Sequence, residues 1–296
     1  METLVEGRVE VVPFAAALGA EIRGVDLKRP LTAAQRDAVR AAWLDRLVLR
    51  IRGEPVDDAA LMAFTRQFGE LEFSAFRLVE NTYGVKSEIE AAPEIAVISN
   101  IVENGKAIGG LGAGEAYWHT DSSFVEVPPA GSFLHALEIP PAGGATYFLN
   151  MYAAYETLPD DLKAAIAGKQ LNHPVTHDSG GKARKGFEHI TDVSQAPGVR
   201  HPLVRTHPES QRKALFLGRR LNAWIVGLSV LDSEALLDKL WAHAQQDKFV
   251  WRQDWRVGDL IIWDNRCAMH RRDAFDDGVR RLMHRTQIVG EAVEAA

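Results

Sequence analysis

Apolar residues follow two patterns along this chain. Some form short apolar stretches, and others recur at helical spacing, so the chain is predicted to contain short strands interspersed with amphipathic helices. The apolar stretches "VEVVPF", "GAEIRGVDL", "LVLRI" and "EIAVISNIV" in the first third are typical of strands. The segments "TAAQRDAVRAAWLDRL" and "DDAALMAFTRQFGEL" repeat apolar residues at helical spacing. We expect Thr32 to cap the first helix, Asp57 or Asp58 to cap the second, and Gly69 to stop the second.

Strands dominate the remainder of the chain. They are predicted over "GSFLHALEIP", "TYFLNM", "HPLVRTHP", "KALFLG", "KFVWRQDW", "GDLIIWDNRCAMHR" and "RRLMHRTQIVG". A turn and a helix are predicted over "MYAAYETLPDDLKAAIAG", and a second helix over "SVLDSEALLDKLWAHAQQ". Residues 70–93 follow no clear pattern. With no repeat and no linker, residues 1–296 are predicted to form a single domain, a strand barrel or sandwich covered by helices.

Two polar or glycine-rich stretches are candidates for functional loops. Residues 173–200 are polar and aperiodic, and a loop of that length in a compact domain is usually functional or disordered. The segment "GKAIGGLGAGEA" lacks the Lys-Ser/Thr pair of a phosphate-binding loop. A loop beside an active site is therefore favoured over a phosphate cradle.

Composition narrows the classes of partner and the compartment. The formal net charge is −6 and no long block of Lys or Arg occurs, so a nucleic-acid partner is not expected. No stretch reaches the roughly 18 apolar residues of a membrane span. The opening "METLVEGRVEVVPF" does not resemble a signal peptide, and the one cysteine, Cys267, suits a reducing compartment. We expect a cytoplasmic protein.

The strongest chemical signal is "YWHTDSSF", in which His119 and Asp121 stand two positions apart. In an extended segment their side chains share one face. An imidazole and a carboxylate together supply two-thirds of the 2-His-1-carboxylate facial triad of non-haem Fe(II) oxygenases. The third ligand should then be a distant histidine, and "WDNRCAMHR" offers His270 after an apolar strand. Taken alone, a His-x-Asp pair at a strand end is more often structural than metal-binding.

Four motifs in order decide between these interpretations. The segments "WHTDSSF", "PPAGGATYF", "GDLIIWDNRCAMHR" and "RRLMHRTQIVG" resemble the taurine dioxygenase / 2,4-dichlorophenoxyacetate dioxygenase family, and the resemblance extends over nearly the whole chain. It implies a mainly β fold, a double-stranded β-helix (jelly-roll) core with flanking helices. It also implies a dioxygenase that uses Fe(II), 2-oxoglutarate and O2, with His119, Asp121 and His270 as the iron ligands.

The same resemblance assigns roles to four further residues. Thr146 and Arg281 match the positions that bind the distal carboxylate of 2-oxoglutarate, and a guanidinium pairs well with a carboxylate. Arg285 matches a position that contacts the anionic head of the substrate, with help from the backbone N–H of Ser122. Glu115 stands where some members have a substrate-contacting asparagine, which disfavours taurine itself. Asp264 and Asn265 are expected to shape the turn that presents His270.

The predicted substrate is a small anionic organic acid. Several segments resemble in sequence the phenoxyalkanoate branch of the family. Enzymes of that branch hydroxylate the carbon next to an ether oxygen and so cleave the ether. Alternatives are an alkylsulfonate such as taurine, a metal-binding jelly roll without turnover, and a zinc hydrolase, in which Arg281 has no evident task. The resemblance also implies a homo-oligomer. Tyr117 and Trp118 are either core aromatics or pocket wall, and eight other histidines are expected to be surface or structural residues.

Overall fold

The computed structural model describes residues 8–84, 86, 89–190 and 192–296, and these residues form six α-helices and twenty strands. The first seven residues of the opening segment, three residues of the unassigned stretch 70–93 and one residue of the predicted loop 173–200 lie outside this description. Within the described residues, no helix has the length and apolar character needed to cross a membrane.

The helices and strands alternate irregularly along the chain. The helices are α1 (Ala33–Arg46), α2 (Asp58–Thr65), α3 (Ala75–Tyr83), α4 (Met151–Glu156), α5 (Asp160–Ile166) and α6 (Val230–Ala244). The first ten strands are β1 (Glu10–Pro13), β2 (Ala20–Arg23), β3 (Val48–Ile51), β4 (Ala96–Ser99), β5 (Val102–Glu103), β6 (Lys106–Ala107), β7 (Gly110–Leu111), β8 (Ala116–His119), β9 (Gly131–Glu138) and β10 (Thr146–Asn150). The other ten are β11 (Gln170–Pro174), β12 (Gly198–Pro202), β13 (Val204–Thr206), β14 (Lys213–Leu215), β15 (Trp224–Ile225), β16 (Val250–Gln253), β17 (Leu260–Asp264), β18 (Ala268–Arg272), β19 (Leu282–Ile288) and β20 (Glu294–Ala295).

Two sheets form the central sandwich. The larger has eight strands in the order β1-β2-β3-β17-β9-β19-β4-β7, and the smaller has four in the order β16-β10-β18-β8. Phe148 and Leu149 of the smaller sheet share one buried apolar cluster with Leu134, Trp263 and Met283 of the larger sheet. Sequence neighbours such as β17 and β18 lie in different sheets, as in a jelly roll. The predicted mainly β fold with a jelly-roll core is confirmed.

Helices cover the outer face of the larger sheet. Trp43 of α1 and Phe64 of α2 pack with Leu49 and Phe133 in a second buried cluster. The predicted cap of α1 is present, because Gln35 N donates to Thr32 Oγ1 at 3.2 Å and Thr32 N donates to Gln35 Oε1 at 2.9 Å. These two bonds form a capping box, which satisfies two N–H groups that a helix start leaves free. Asp57 caps α2 by a single bond, in which its Oδ1 accepts from Ala60 N at 2.8 Å.

Several predicted boundaries were wrong for local reasons. The predicted second helix stops at Thr65, short of Gly69. The predicted turn and helix over 151–168 is two short helices, because Pro159 interrupts the chain between them. The strand predicted over "KFVWRQDW" begins as a 3₁₀ turn at Asp247–Phe249. Helix α3 lies in the stretch left unassigned, and the loop predicted over 173–200 lies between two paired strands, β11 and β12, that take its first and last residues.

Burial between the sheets predicts a specific pattern of stability. Leu149→Ala removes a side chain that is 0% exposed, whereas Leu231→Ala removes one that is 82% exposed on α6. We expect the first substitution to lower the free energy of unfolding by about 2–5 kcal/mol and the second by less than about 0.5 kcal/mol. Urea denaturation measures both. Equal losses would contradict the placement of Leu149 in the core.

Candidate active site

Two neighbouring strands of the smaller sheet bring two histidines together. His119 ends β8, and His270 lies opposite it in β18 as its direct pairing partner. Their ring centroids are 4.1 Å apart. Asp121 lies two residues beyond the end of β8, with its Oδ1 atom 3.7 Å from His119 Nε2 and 3.9 Å from His270 Nε2. The three ligand atoms therefore converge on one point, although His270 is far from the other two in sequence.

Burial keeps both imidazoles neutral, which is the form that binds a metal, and a hydrogen bond fixes the tautomer of His119. His119 Nδ1 lies 2.7 Å from the carbonyl oxygen of Tyr117, which places the proton on Nδ1 and leaves Nε2 free to ligate. Burial, reinforced by His270, holds the pKa of His119 well below its usual value. Burial likewise lowers the pKa of His270 to about 4, against the opposing charge of Asp121. Both rings are neutral at physiological pH.

The Asp121 carboxylate is fixed by three side chains. Ser132 Oγ donates to Oδ2 at 2.8 Å, and Gln287 Nε2 donates to the same atom at 3.2 Å. Arg285 Nη1 donates to Oδ1 at 2.6 Å. Burial alone would raise the pKa of Asp121, but Arg285 and the two histidines lower it to about 2. The carboxylate is therefore ionised, and Oδ1 is the oxygen directed towards the histidines.

The side chain of Asn265, 144 positions away in sequence, fixes the backbone of Asp121. Its Oδ1 accepts from Asp121 N at 2.9 Å, and its Nδ2 donates to Asp121 O at 3.0 Å and to Pro129 O at 2.8 Å. Strand pairing ends at His119, and the Asn265 side chain supplies the backbone hydrogen bonds that a partner strand would otherwise give to Asp121. The next residue, Ser122, has φ of 49°, in the left-handed region that non-glycine residues seldom adopt. The chain thus turns sharply directly after the ligand.

A narrow cavity beside the two histidines carries unsatisfied positive charge. It has a volume of about 30 Å³, and its lining includes Thr146, Arg272, Arg281 and Arg285. Arg281 is 1% exposed, and its Nε and Nη1 atoms have no hydrogen-bond partner among the described residues. Burial and the neighbouring Arg272 lower the pKa of Arg281 to about 9. Thr146 Oγ1 accepts from Trp255 Nε1 at 2.9 Å, which leaves the Thr146 hydroxyl hydrogen free to be donated.

A second, larger cavity adjoins the narrow one, and His119 and Arg285 line both. Its volume is about 640 Å³, within the range of small-molecule sites. Asp121, Ser122 and Arg285 line its floor, and Phe76 of α3 lines its wall. Residues from the predicted functional loop also line it, namely Asp178, Ser179, Gly180, Lys182 and Arg184, as do Gly109, Gly110, Gly112 and Gly114 of the glycine-rich segment.

The two aromatic residues before His119 differ, because Tyr117 is exposed whereas Trp118 packs against the edge of the core. Tyr117 is 49% exposed and lines the larger cavity. Trp118 is half-buried, with the guanidinium of Arg271 5.6 Å from its ring centroid. Glu115 also lines the larger cavity, and its Oε1 lies 3.9 Å from Arg271 Nη1.

Sequence reasoning missed several residues that support the site. Asn265 was assigned only to a turn, whereas it binds Asp121 across 144 positions of sequence. Trp255, Ser132 and Gln287 carried no signal, because each acts through a contact that only the fold creates. Arg272 was accessible to prediction, since it stands two positions after His270 in a strand and therefore shares its face.

A second group of potential metal ligands is a network of ion pairs. His207, Asp264 and Cys267 are close together and buried. Arg266, however, donates to both Asp264 oxygens, at 2.9 and 2.8 Å, and His207 Nε2 lies 3.0 Å from Asp264 Oδ2. Both oxygens are therefore satisfied by side chains. Asp264 and Arg266 brace the turn between β17 and β18, directly before His270.

The arrangement defines a class of enzyme. A jelly roll that presents two imidazoles and one carboxylate at a cavity is the architecture of a mononuclear non-haem iron oxygenase. The donor set suits Fe(II), and the unpartnered guanidinium of Arg281 suits the distal carboxylate of 2-oxoglutarate.

Comparison with known proteins identifies the family. The protein-family model described as "Taurine catabolism dioxygenase TauD, TfdA family" matches residues 10–287 of this chain. The chain is 34% identical to an alpha-ketoglutarate-dependent 2,4-dichlorophenoxyacetate dioxygenase of Cupriavidus pinatubonensis, over 95% of this chain and 98% of the relative. It is 32% identical to an (S)-phenoxypropionate/alpha-ketoglutarate-dioxygenase of Sphingobium herbicidovorans, over 95% of each chain. The crystal structure of AAD-2 in complex with Mn(II) and N-oxalylglycine superposes with a TM-score of 0.77, at 30% identity, covering 97% of this chain and 100% of that one.

The chain therefore belongs to the TauD/TfdA family. The predicted family, the enzyme class and the use of Fe(II), 2-oxoglutarate and O2 are confirmed. The roles of the individual residues at the site stay predictions.

The contacts of Asn265 generate a test of metal binding. Asn265→Ala removes the acceptor and donor that hold the Asp121 backbone, so the carboxylate loses its fixed direction towards the two imidazoles. We expect Fe(II) affinity to fall by about 10- to 100-fold, as for other losses of ligand-orienting contacts. Anaerobic calorimetry with Fe(II) measures it. Asn104→Gly, in an exposed turn at positive φ, is the control. Unchanged affinity in Asn265→Ala would contradict this role.

Proposed function

We propose that this protein is an Fe(II)- and 2-oxoglutarate-dependent dioxygenase that hydroxylates a phenoxyalkanoate-like organic acid and cleaves its ether bond. The observation that carries the proposal is a facial triad with an unpartnered buried arginine on one side and a cavity for a small molecule on the other. Two relatives named for phenoxy acids, at 34% and 32% identity over nearly the full chain, support the substrate class.

When bound, Fe(II) would supply the chemistry that couples oxidative decarboxylation of 2-oxoglutarate, giving succinate and carbon dioxide, to insertion of one oxygen atom of O2 into a substrate C–H bond. The residues supply position and charge. His119, Asp121 and His270 would hold the metal. Thr146 and Arg281 bind the distal carboxylate of 2-oxoglutarate, so the buried charge of Arg281 is neutralised when the co-substrate is bound.

Ether cleavage follows from where the hydroxyl is placed. Hydroxylation of the carbon between the ether oxygen and the carboxylate gives a hemiacetal. Its collapse breaks the carbon–oxygen bond and releases a phenol together with an aldehyde acid. The protein needs only to hold that carbon near the metal, with water kept away by the cavity walls.

The larger cavity has the polarity such a substrate requires. Arg285 and Ser122 line it beside Asp121, and we assign them to the substrate's carboxylate. The Ser122 hydroxyl is buried without a hydrogen-bond partner among the described residues. Phe76, Ile98 and Phe124 line the same cavity and offer apolar contacts for an aryl group.

An alkylsulfonate is the second candidate substrate, because the family description includes taurine catabolism. The charge of Glu115 does not separate the two candidates, because a carboxylate that lines the cavity repels a sulfonate and a carboxylate alike. The relatives named for phenoxy acids favour the first candidate. A metal-binding protein without turnover is disfavoured, because Arg281 would then be a buried cation with no ligand to neutralise it.

Three further predictions accompany this proposal. The protein is a single domain with an active-site loop at 173–200, and the lining of the larger cavity by part of that loop supports this assignment. We also propose a cytoplasmic location, which the single buried thiol of Cys267 supports, and a homo-oligomeric state.

The role of Arg281 is tested against its neighbour. Arg281→Gln removes a buried guanidinium assigned to 2-oxoglutarate, whereas Arg280→Gln removes an exposed one that pairs with Glu138. We expect the first change to raise the KM for 2-oxoglutarate by about 100-fold, and the second by less than about twofold. Steady-state kinetics at varied 2-oxoglutarate measure both. Similar KM values for the two variants would contradict the assignment.

The proposed function is tested by product formation. Enzyme with Fe(II), 2-oxoglutarate and O2 is screened against phenoxyacetates, phenoxypropionates, alkylsulfonates and alkylsulfates, with succinate and released phenol as readouts. We expect phenoxy acids to stimulate both products, and His270→Ala to abolish them because a metal ligand is lost. The matched control is His243→Ala, a half-buried residue of α6 that lines neither cavity described above. Succinate with sulfonates alone, or with no compound, would contradict the phenoxyalkanoate proposal.

A further inference from the structure

Besides Arg285, the lining of the larger cavity contains another arginine, Arg219, to which no role was assigned from the sequence. Arg219 lines this cavity and is 8% exposed. Its backbone lies beside the metal-binding segment, because His119 and Arg219 form an isolated bridge and Thr120 N donates to Gly218 O at 2.9 Å. Gly218 has φ of 59°, and a Cβ there would collide with the His173 ring, so the approach of this segment requires glycine.

Arg219 has no directly paired counter-ion. Its Nη1 donates to the carbonyl oxygen of His177, and its Nε is buried without a partner among the described residues. In the described part of the chain no carboxylate lies within 4.0 Å of its guanidinium, although the charges of Asp178 and Asp121 act on it from further away. Arginine is cationic at neutral pH. A buried cation without a counter-ion is costly unless a ligand neutralises it.

Arg184 reinforces this charge from the loop. Its Nε donates to the same His177 carbonyl at 3.3 Å, and its guanidinium lies 5.3 Å from the centroid of the Phe124 ring. Arg184 N donates to Thr176 O at 2.8 Å, which ties this part of the loop to the strand end. Like Arg219, it has no carboxylate within 4.0 Å in the described part of the chain, although the charge of Asp178 acts on it. Two cations therefore share one neutral carbonyl on the cavity wall.

The contrast with Arg285 shows where an incoming acid is best neutralised. Arg285 already gives its Nη1 to Asp121 Oδ1 at 2.6 Å, so its charge is shared with the metal ligand. Asp178, an acidic residue of the loop that lines this cavity, uses its Oδ1 to accept from the backbone N–H groups of Gly180 and Lys182, each at 2.9 Å. Arg219 makes no direct ion pair, so its guanidinium is better placed than that of Arg285 to pair with a ligand.

We propose that Arg219, supported by Arg184, binds the acid group of the substrate and makes the enzyme selective for anions. The inference rests on the proposed function, in that the ligand is the substrate of the same site. Arg285 then contributes its remaining donors and keeps Asp121 directed towards the metal. Arg219 is a specificity-determining residue of the substrate pocket and has no part in binding the metal or 2-oxoglutarate.

The test compares an acid with its neutral analogue. Binding of 2,4-dichlorophenoxyacetate, its carboxamide and hexanesulfonate to the anaerobic enzyme with Fe(II) and 2-oxoglutarate is measured by calorimetry. In Arg219→Gln we expect the Kd of the acid to rise by about 10- to 100-fold, and that of the carboxamide to change by less than about threefold. Arg219→Lys, which keeps a charge but not the planar fork, should recover part of the loss.

Controls separate recognition from folding. Arg220→Gln removes the adjacent arginine, which pairs with Glu234 and Asp238 outside the larger cavity, and its Kd for the acid should match the wild type. The KM for 2-oxoglutarate should be unchanged in Arg219→Gln. If that variant does not fold, Arg184→Gln serves in its place, with an expected rise in Kd of about 3- to 10-fold for the acid alone.

The outcomes distinguish this inference from the proposed function. If the wild type binds hexanesulfonate but no phenoxy acid, the phenoxyalkanoate proposal is wrong, and the same variants test Arg219 on the sulfonate. Equal weakening of acid and carboxamide, or no weakening of either, would overturn the role of Arg219. A wild type that binds neither anion would overturn both.

Discussion

The active site depends on the contact between Asn265 and the backbone of Asp121. Strand β8 ends at His119, so the ligand that follows has no strand partner to fix it. Asn265 supplies one acceptor and one donor in place of that partner, and Ser132 and Gln287 then fix the direction of the carboxylate. Asn265 lies in the turn that connects β17 of the larger sheet to β18 of the smaller sheet. The position of Asp121 therefore depends on this turn, and metal binding depends on the packing of the two sheets.

The buried arginines at the site have different partners, and this difference suggests a different ligand for each cavity. Four buried arginines line the two cavities at the triad, and they differ in their partners. Arg285 is paired with Asp121, and Arg272 donates to the carbonyl oxygens of Gly112 and Gly114. Arg281 and Arg219 have no carboxylate within 4.0 Å among the described residues. Unneutralised buried cations favour anions as ligands. On this account the narrow cavity selects the carboxylate of 2-oxoglutarate, the larger cavity selects the acid group of the substrate, and the metal lies between them.

The sequence was sufficient where the signal was local. His119 and Asp121 alternate within one short segment, the cap at Thr32 lies within three residues of its partner, and the buried strands are continuous apolar runs. Long-range contacts such as Asn265 with Asp121, and Trp255 with Thr146, were inaccessible because nothing in either segment specifies its partner. Helix α3 was missed because Ser74 makes no side-chain cap and Val79 is its one buried side chain.

The central claim is that His119, Asp121 and His270 hold one Fe(II) ion and leave two adjacent positions for 2-oxoglutarate. Anaerobic visible spectroscopy tests it most directly, because chelation of Fe(II) by the carboxylate and keto oxygens of 2-oxoglutarate produces a charge-transfer band. The account predicts that the band saturates at one 2-oxoglutarate per chain and is lost in Asp121→Ala. A band that persists in this variant, or no band in the wild type despite bound Fe(II), would contradict it.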